Sequence, residues 1–125
     1  MNPQECRYTQ EHEWVRMDGD VAVVGITDFA QRQLGDVVFV DLPTVGSSVE
    51  QNQPFGSIDS VKTASDLFSP ITGQVLEVNA SAVDDPALVN SDPYGEGWMM
   101  RVQPTDPSQL DTLLTAEQYS EYTRE

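Results

Sequence analysis

Short apolar-polar alternations separated by turn residues run through most of this chain. EHEWVRM and DVAVVGI lie on either side of Asp18-Gly19, a dipeptide whose tolerance of positive φ suits a tight hairpin, so the first two strands are predicted to pair there. TDFAQRQLG breaks the alternation: Thr27 or Asp28 can cap a helix, Phe29, Ala30 and Leu34 give it an apolar side, and Gly35 can end it. DVVFVDLP resumes as a strand stopped by Pro43, with Val38 and Val40 on one face, Val37 and Phe39 on the other, and both faces partly buried. FGSID and TASDLFSP read as two strands of a hairpin, which places Ser60, Val61, Lys62 and Thr63 at or near its turn. GWMMRVQP alternates Trp98 and Met100 against Met99 and Arg101.

The tail changes character. Pro107 stands where a first helical turn tolerates it, and Thr115 with Gln118 fits a capping box. Leu110, Leu113, Leu114, Tyr119 and Tyr122 recur at near-helical spacing and are predicted to pack on the sheet. The pattern therefore predicts a mostly β chain with a short early helix and a helical C-terminus. A repeat runs beneath it, since Gly35-Asp36-Val37 followed by Val40 matches Gly73-Gln74-Val75 followed by Val78. Two such halves would suit a flattened sandwich with pseudo-twofold symmetry; a chance match of a few residues is the alternative.

Composition narrows the picture. The 125 residues fit one domain, residues 1–125, with a β core from about 8 to 103 and a helical tail from about 107 to 123. A formal net charge of -15 repels phosphate backbones and anionic headgroups, so no nucleic acid and no membrane surface is expected as a partner. Cys6 is the single cysteine, which excludes a disulfide framework within the chain and a cysteine-based metal site. The opening MNPQECRYTQEHEW carries neither the apolar core of a secretory signal nor the basic character of a transit peptide, so a cytoplasmic protein, or alternatively the mature form of a mitochondrial matrix protein, is expected.

Charge also isolates one residue. Lys62 is the only lysine beside five arginines and 21 acids. An exposed ammonium at a hairpin tip is no ready general base or Schiff-base former, which need a desolvated or cation-flanked lysine. A tip lysine can instead hold a group by an amide bond, on a flexible stem that other proteins can reach. From position alone, a solubilising charge is the commoner reading of a surface lysine, and the scarcity of lysine here shifts the balance toward a carrier. Other constellations are poorer. His12 and Cys6 are separated by backbone that fixes no thiol-imidazole geometry, and His12 reads as a partly exposed strand residue. Asp84, Asp85, Asp92 and Glu96 lack the spacing of a calcium loop and read as solvated loop acids. Asn79-Ala80-Ser81 has the form of a glycosylation acceptor, a triplet that chance supplies often. No nucleophile elbow, phosphate-cradling glycine loop or metal motif is present, so no enzyme site is expected.

SVKTASDLFSPITGQVLEVN resembles the lipoyl-attachment segment of the glycine cleavage system H protein family, in which the lysine of a Ser-Val-Lys motif carries lipoic acid. EHEWV, GITDFAQRQLGDVVFVDLP, NSDPYGEGWMMRV and the helical tail resemble the same family in the same order, from about Tyr8 to Tyr122. The resemblance implies a flattened sandwich of the lipoyl/biotinyl hybrid-motif type (barrel-sandwich hybrid), with lipoic acid on Lys62. It implies a carrier rather than an enzyme, one that moves the aminomethyl group of glycine from the pyridoxal-phosphate-dependent P protein to the aminomethyltransferase, or T protein. Dihydrolipoyl dehydrogenase, the L protein, would then reoxidise the arm. It also implies a cleft for the loaded arm with Glu13 and Asp66 as candidate contacts, and Asp59, Ser60 and Val61 as candidates for recognition by lipoylating enzymes. Asp59 stands where many members have Glu, Thr63 where Ala is usual, and Gln33 where some have His, so no imidazole can titrate at that helix position. A biotin carrier would share the hairpin-tip logic but normally flanks its lysine with methionines, where this chain has Val61 and Thr63. An H-like interaction module, or one that only relays lipoyl groups, would look nearly identical in sequence.

Overall fold

The computed structural model describes residues 3–124. In chain order the elements are β1 (Cys6–Tyr8), β2 (Glu13–Asp18), β3 (Val21–Ile26), α1 (Asp28–Leu34), β4 (Val37–Asp41), β5 (Ser48–Val49), β6 (Pro54–Ser60), β7 (Ala64–Phe68) and β8 (Gly73–Val78). They continue with α2 (Ala80–Asp84), α3 (Ala87–Ser91), β9 (Met100–Pro104), a 3-10 helix (Pro107–Thr112) and α4 (Ala116–Tyr122). The strands form two antiparallel sheets. One has the order β1-β2-β3-β9-β8-β5 and the other β4-β6-β7. The mostly β sandwich, its short early helix and its helical end agree with the sequence pattern.

Two apolar cores explain why β2 and β3 are buried on both faces. Val15, Ala22, Val24 and Ile26 point into the main core, which Val40, Ile58, Leu67, Val75 and Val102 complete from other strands. Trp14 and Val23 point the opposite way, into a second core with Cys6, Tyr8, Ala116 and Tyr119 under α4. This is the alternation of a strand whose two faces each meet a cover. Trp14 sits opposite Gly25 in the ladder, and a Cβ there would fall 2.7 Å from Trp14 Cζ2, so the indole occupies the space of the absent side chain. In the tail, Leu110 and Leu113 pack on the main core and Leu114 on the second, whereas Tyr122 is half exposed and donates its hydroxyl to the Gln10 carbonyl. The Thr115–Gln118 capping box is formed.

Several local expectations are corrected. The β2-β3 turn is Gly19-Asp20, one residue beyond the dipeptide expected, because Asp18 still pairs with Val21. β4 does not alternate: its register slips between Val37 and Phe39, so Val38 and Phe39 are both more than half exposed while Val37 and Val40 are buried. A bulge inserts one extra residue and turns the following side chains to the other face. The repeated segment explains its place. β8 slips between Val75 and Glu77, the corresponding point of the second copy, and Leu76 is exposed as Val38 is. The repeat thus includes the bulge, and its two copies lie in different sheets.

His12 is not on a strand but in the bend before β2, half-buried, with φ 74°. The stretch holding Asp84, Asp85 and Asp92 is not merely loop but carries α2 and α3, and the Asp92 carboxylate accepts the Glu96 N–H. Asn79 is buried, caps α2, and donates its side-chain amide to the Glu96 and Trp98 carbonyls, which leaves that nitrogen no role as a glycan acceptor in the fold. Among the described residues no helix is long and apolar enough to cross a membrane, and no cluster of His, Cys, Asp and Glu could hold a metal ion.

Candidate functional site

The β6-β7 hairpin presents Lys62. Asp59 pairs with Ala64, the Ser60 N–H donates to the Thr63 carbonyl at 2.7 Å, and Val61 and Lys62 form the tip. Two-residue hairpins usually rely on positive φ, which a β-branched valine resists, and neither Val61 nor Lys62 adopts it. Ser60 closes the turn instead: its Oγ accepts the Lys62 and Thr63 N–H groups, each at 3.2 Å. The tip is also tied to the turn between α1 and β4, because the Val61 N–H donates to the Asp36 carbonyl at 3.0 Å.

The Lys62 side chain runs over the end of α1. Gly35 caps that helix with φ 77°, and a Cβ on it would sit 3.3 Å from Lys62 Cε, so the bare backbone leaves room for the lysine stem. Each arginine head group has an acceptor, carboxylate or aromatic ring within the chain. Lys62, among the described residues, makes no salt bridge despite the surplus of acids.

A cleft of about 320 Å³ lies between α1 and the β6-β7 sheet. Ala30, Leu34 and Phe68 supply its apolar surface over the buried Ile26, Ile58 and Leu67, and Gln33, Ser65 and Asp66 its polar edge. Asp66 is exposed on β7, opposite Ser57. Glu13 is 2% exposed and does not line this cleft. Its Oε1 accepts the Thr9 hydroxyl at 2.6 Å and its Oε2 the Phe68 N–H at 3.2 Å, so it holds the end of β7 from beneath. Burial outweighs those two donors and pushes its carboxyl up to about 7. Beside it His12 Nδ1 meets the Tyr119 hydroxyl at 2.8 Å, and burial lowers the imidazole pKa. Cys6 packs in the second core under α4, and burial raises its thiol to about 11, which keeps it protonated and unreactive.

The sequence-predicted residues therefore divide into three places. Asp59, Ser60, Val61 and Lys62 share the tip, Asp66 edges the cleft, and Glu13 lies below it. Sequence reasoning did not find Asp36, whose contribution is a backbone carbonyl and leaves no side-chain signal. The cleft's apolar walls are legible as strand and helix hydrophobics but not as a cleft.

A two-sheet domain with a lysine at the tip of a β hairpin is the lipoyl-domain sandwich. Residues 6–125 match the family model described as Glycine cleavage H-protein, and the chain belongs to that family of carrier subunits of the glycine cleavage system. It is 56% identical over 123 residues to the glycine cleavage system H protein of Geobacillus sp. (strain WCH70), covering 98% of this chain and 97% of the relative. It is 58% identical over 118 residues to that of Magnetococcus marinus, covering 94% and 84%. The crystal structure of a glycine cleavage system H protein from Mycobacterium marinum superposes with a TM-score of 0.88 at 46% identity, covering 95% of this chain and 96% of that one.

Proposed function

We propose that Lys62 bears lipoic acid in amide linkage to Nζ. The protein then acts as a non-catalytic carrier of the aminomethyl group of glycine, from the P protein to the T protein, with the L protein reoxidising the arm. The single observation that carries this reading is the placement of the chain's only lysine: at a hairpin tip, without an ion pair among the described residues, its stem over Gly35 at the end of α1, next to Leu34 of the apolar cleft. The residues present suit the group. Lys62 offers an accessible amine, and the half-buried Ala30 and Phe68, with Leu34, offer apolar surface to a short hydrocarbon chain. When bound, the group supplies a disulfide that opens reductively as it accepts the aminomethyl unit.

The remaining tasks fall to the chain itself. Asp66 presents a carboxylate at the cleft edge, where it can pair with an amine. Glu13 acts one step removed, by fixing the Phe68 end of the same strand. Asp59, Ser60 and Val61 form the turn that lipoylating enzymes must grip to reach Nζ. The test is mass spectrometry of the protein isolated from its own cells, intact and as peptides, together with a Lys62→Arg variant. A lipoyl amide on the Lys62 peptide is expected. The variant should keep its melting temperature within a few degrees, since an exposed tip substitution usually shifts stability by less than about 0.5 kcal/mol. It should lose glycine decarboxylation coupled to methylene transfer entirely. Retained coupling would overturn the carrier reading, and a lipoylated protein inactive with P and T proteins would favour a relay of lipoyl groups to other enzymes.

A further inference from the structure

We infer that Asn90, on α3 and outside the hairpin, is a positioning residue for the Lys62 tip; the inference rests on the reading of Lys62 as the lipoyl site. Asn90 is half-buried and its amide is used from both ends. Oδ1 accepts the Val37 N–H at 2.9 Å, while Nδ2 donates to the Gly35 carbonyl at 2.8 Å and to Gln31 Oε1 at 3.0 Å. A backbone N–H only donates and a carbonyl only accepts, so the amide has one orientation and no acid or hydrocarbon of the same shape can replace it.

These bonds bracket Asp36. Gly35 before it and Val37 after it are both held by Asn90, and Gln31 also receives the Gly35 N–H through its carbonyl. The peptide between them is thereby fixed with the Asp36 carbonyl toward the tip, where it accepts the Val61 N–H. The same fixed turn sets Gly35 under the Lys62 stem. Asn90 thus reaches the lysine through a chain of three consecutive backbone units, and its loss frees the tip without touching it. A tip that is already ordered does not have to be ordered when an enzyme binds it.

The experiment uses the full chain with a lipoate ligase, lipoate and ATP, together with backbone amide exchange by NMR. In the wild type, the Val61 amide should be protected; exchange at the rate of a free loop would overturn the inference without any variant. Asn90→Ala should speed Val61 exchange by roughly tenfold or more. The Val75 amide, bonded to the Ser47 carbonyl in the second copy of the repeat, should be unmoved. The KM for the protein as ligase substrate should rise roughly threefold to tenfold with kcat unchanged. Asn90→Asp, which keeps the acceptor for Val37 but sets an oxygen against the Gly35 carbonyl, should act in the same direction and decides the matter if the alanine variant does not fold. A folded variant with unchanged Val61 exchange or unchanged KM overturns the inference, as does equal loosening of Val61 and Val75, which marks Asn90 as a general stabiliser. Failure of the wild type to accept lipoate at Lys62 would instead remove the lipoyl reading, leaving Val61 exchange as the measure of tip docking.

Discussion

Glu13 is the carboxyl that departs furthest from ordinary behaviour among the described residues. It is a buried acid that accepts from the Thr9 hydroxyl and the Phe68 N–H and has no cation among the causes acting on it, and burial raises its pKa to about 7 from an ordinary 4.5. The folded state therefore holds this proton to higher pH than the unfolded chain does. Its contribution to stability is complete below about 4.5, declines as pH rises, and is gone above about 7. A carbon-detected titration of the Glu13 carboxyl should show a midpoint near 7, and the Phe68 amide should shift with the same midpoint because it donates to that oxygen. A midpoint below 5 would mean that the two donors, not burial, dominate. What could be read beforehand at this scale was the identity of Lys62, because a single lysine among 21 acids is visible in a count. Asn90 was not legible. It is one letter in LVNSDP, and the partners that give it meaning lie 53 to 59 positions away.

Among the elements, those with local grammar were legible and those set by distant packing were not. α1 announced itself by Thr27, which caps it by accepting the Ala30 N–H at 3.1 Å, and by Gly35 at its end. The lysine hairpin announced itself by two alternating runs around a short polar turn. α2 and α3, five residues each, are too short to show a helical period, and a β bulge depends on a partner strand that a single segment does not contain. α4 offers a test of how far local grammar stabilises an element. Its capping box sits at the edge of the second core, and the helix covers Cys6, Tyr8 and Trp14. Thr115→Ala should cost about 1 kcal/mol. If α4 opens as a unit, the Cys6 thiol should react with an aromatic disulfide roughly fivefold faster than in the wild type under native conditions, the rate tracking that opening energy. Unchanged Cys6 reactivity with lowered overall stability would show that the second core opens only with global unfolding.

At the scale of the molecule, the surplus of acid is the dominant field, because 21 acids stand against five arginines and one lysine. A carrier that visits several enzymes through one tip gains from a field that orients encounter without strengthening the final complex, since long-range charge acts chiefly on association rates. Lys62 is suited to such a field. The proposed lipoyl amide would remove its charge, taking the formal net charge from -15 to -16 and leaving the acids around the tip unopposed. On the proposed function, stopped-flow measurement of the protein, lipoylated by a ligase, with an aminomethyltransferase as the proposed partner should therefore show an association rate that falls by roughly tenfold or more between about 0.05 and 0.5 M salt. The dissociation rate should move much less. The unmodified protein should show a slightly smaller fall, because it carries one more positive charge at the contact itself. An association rate indifferent to salt would mean that the acidic surface serves solubility alone, and that recognition is confined to the hairpin and the residues that hold it.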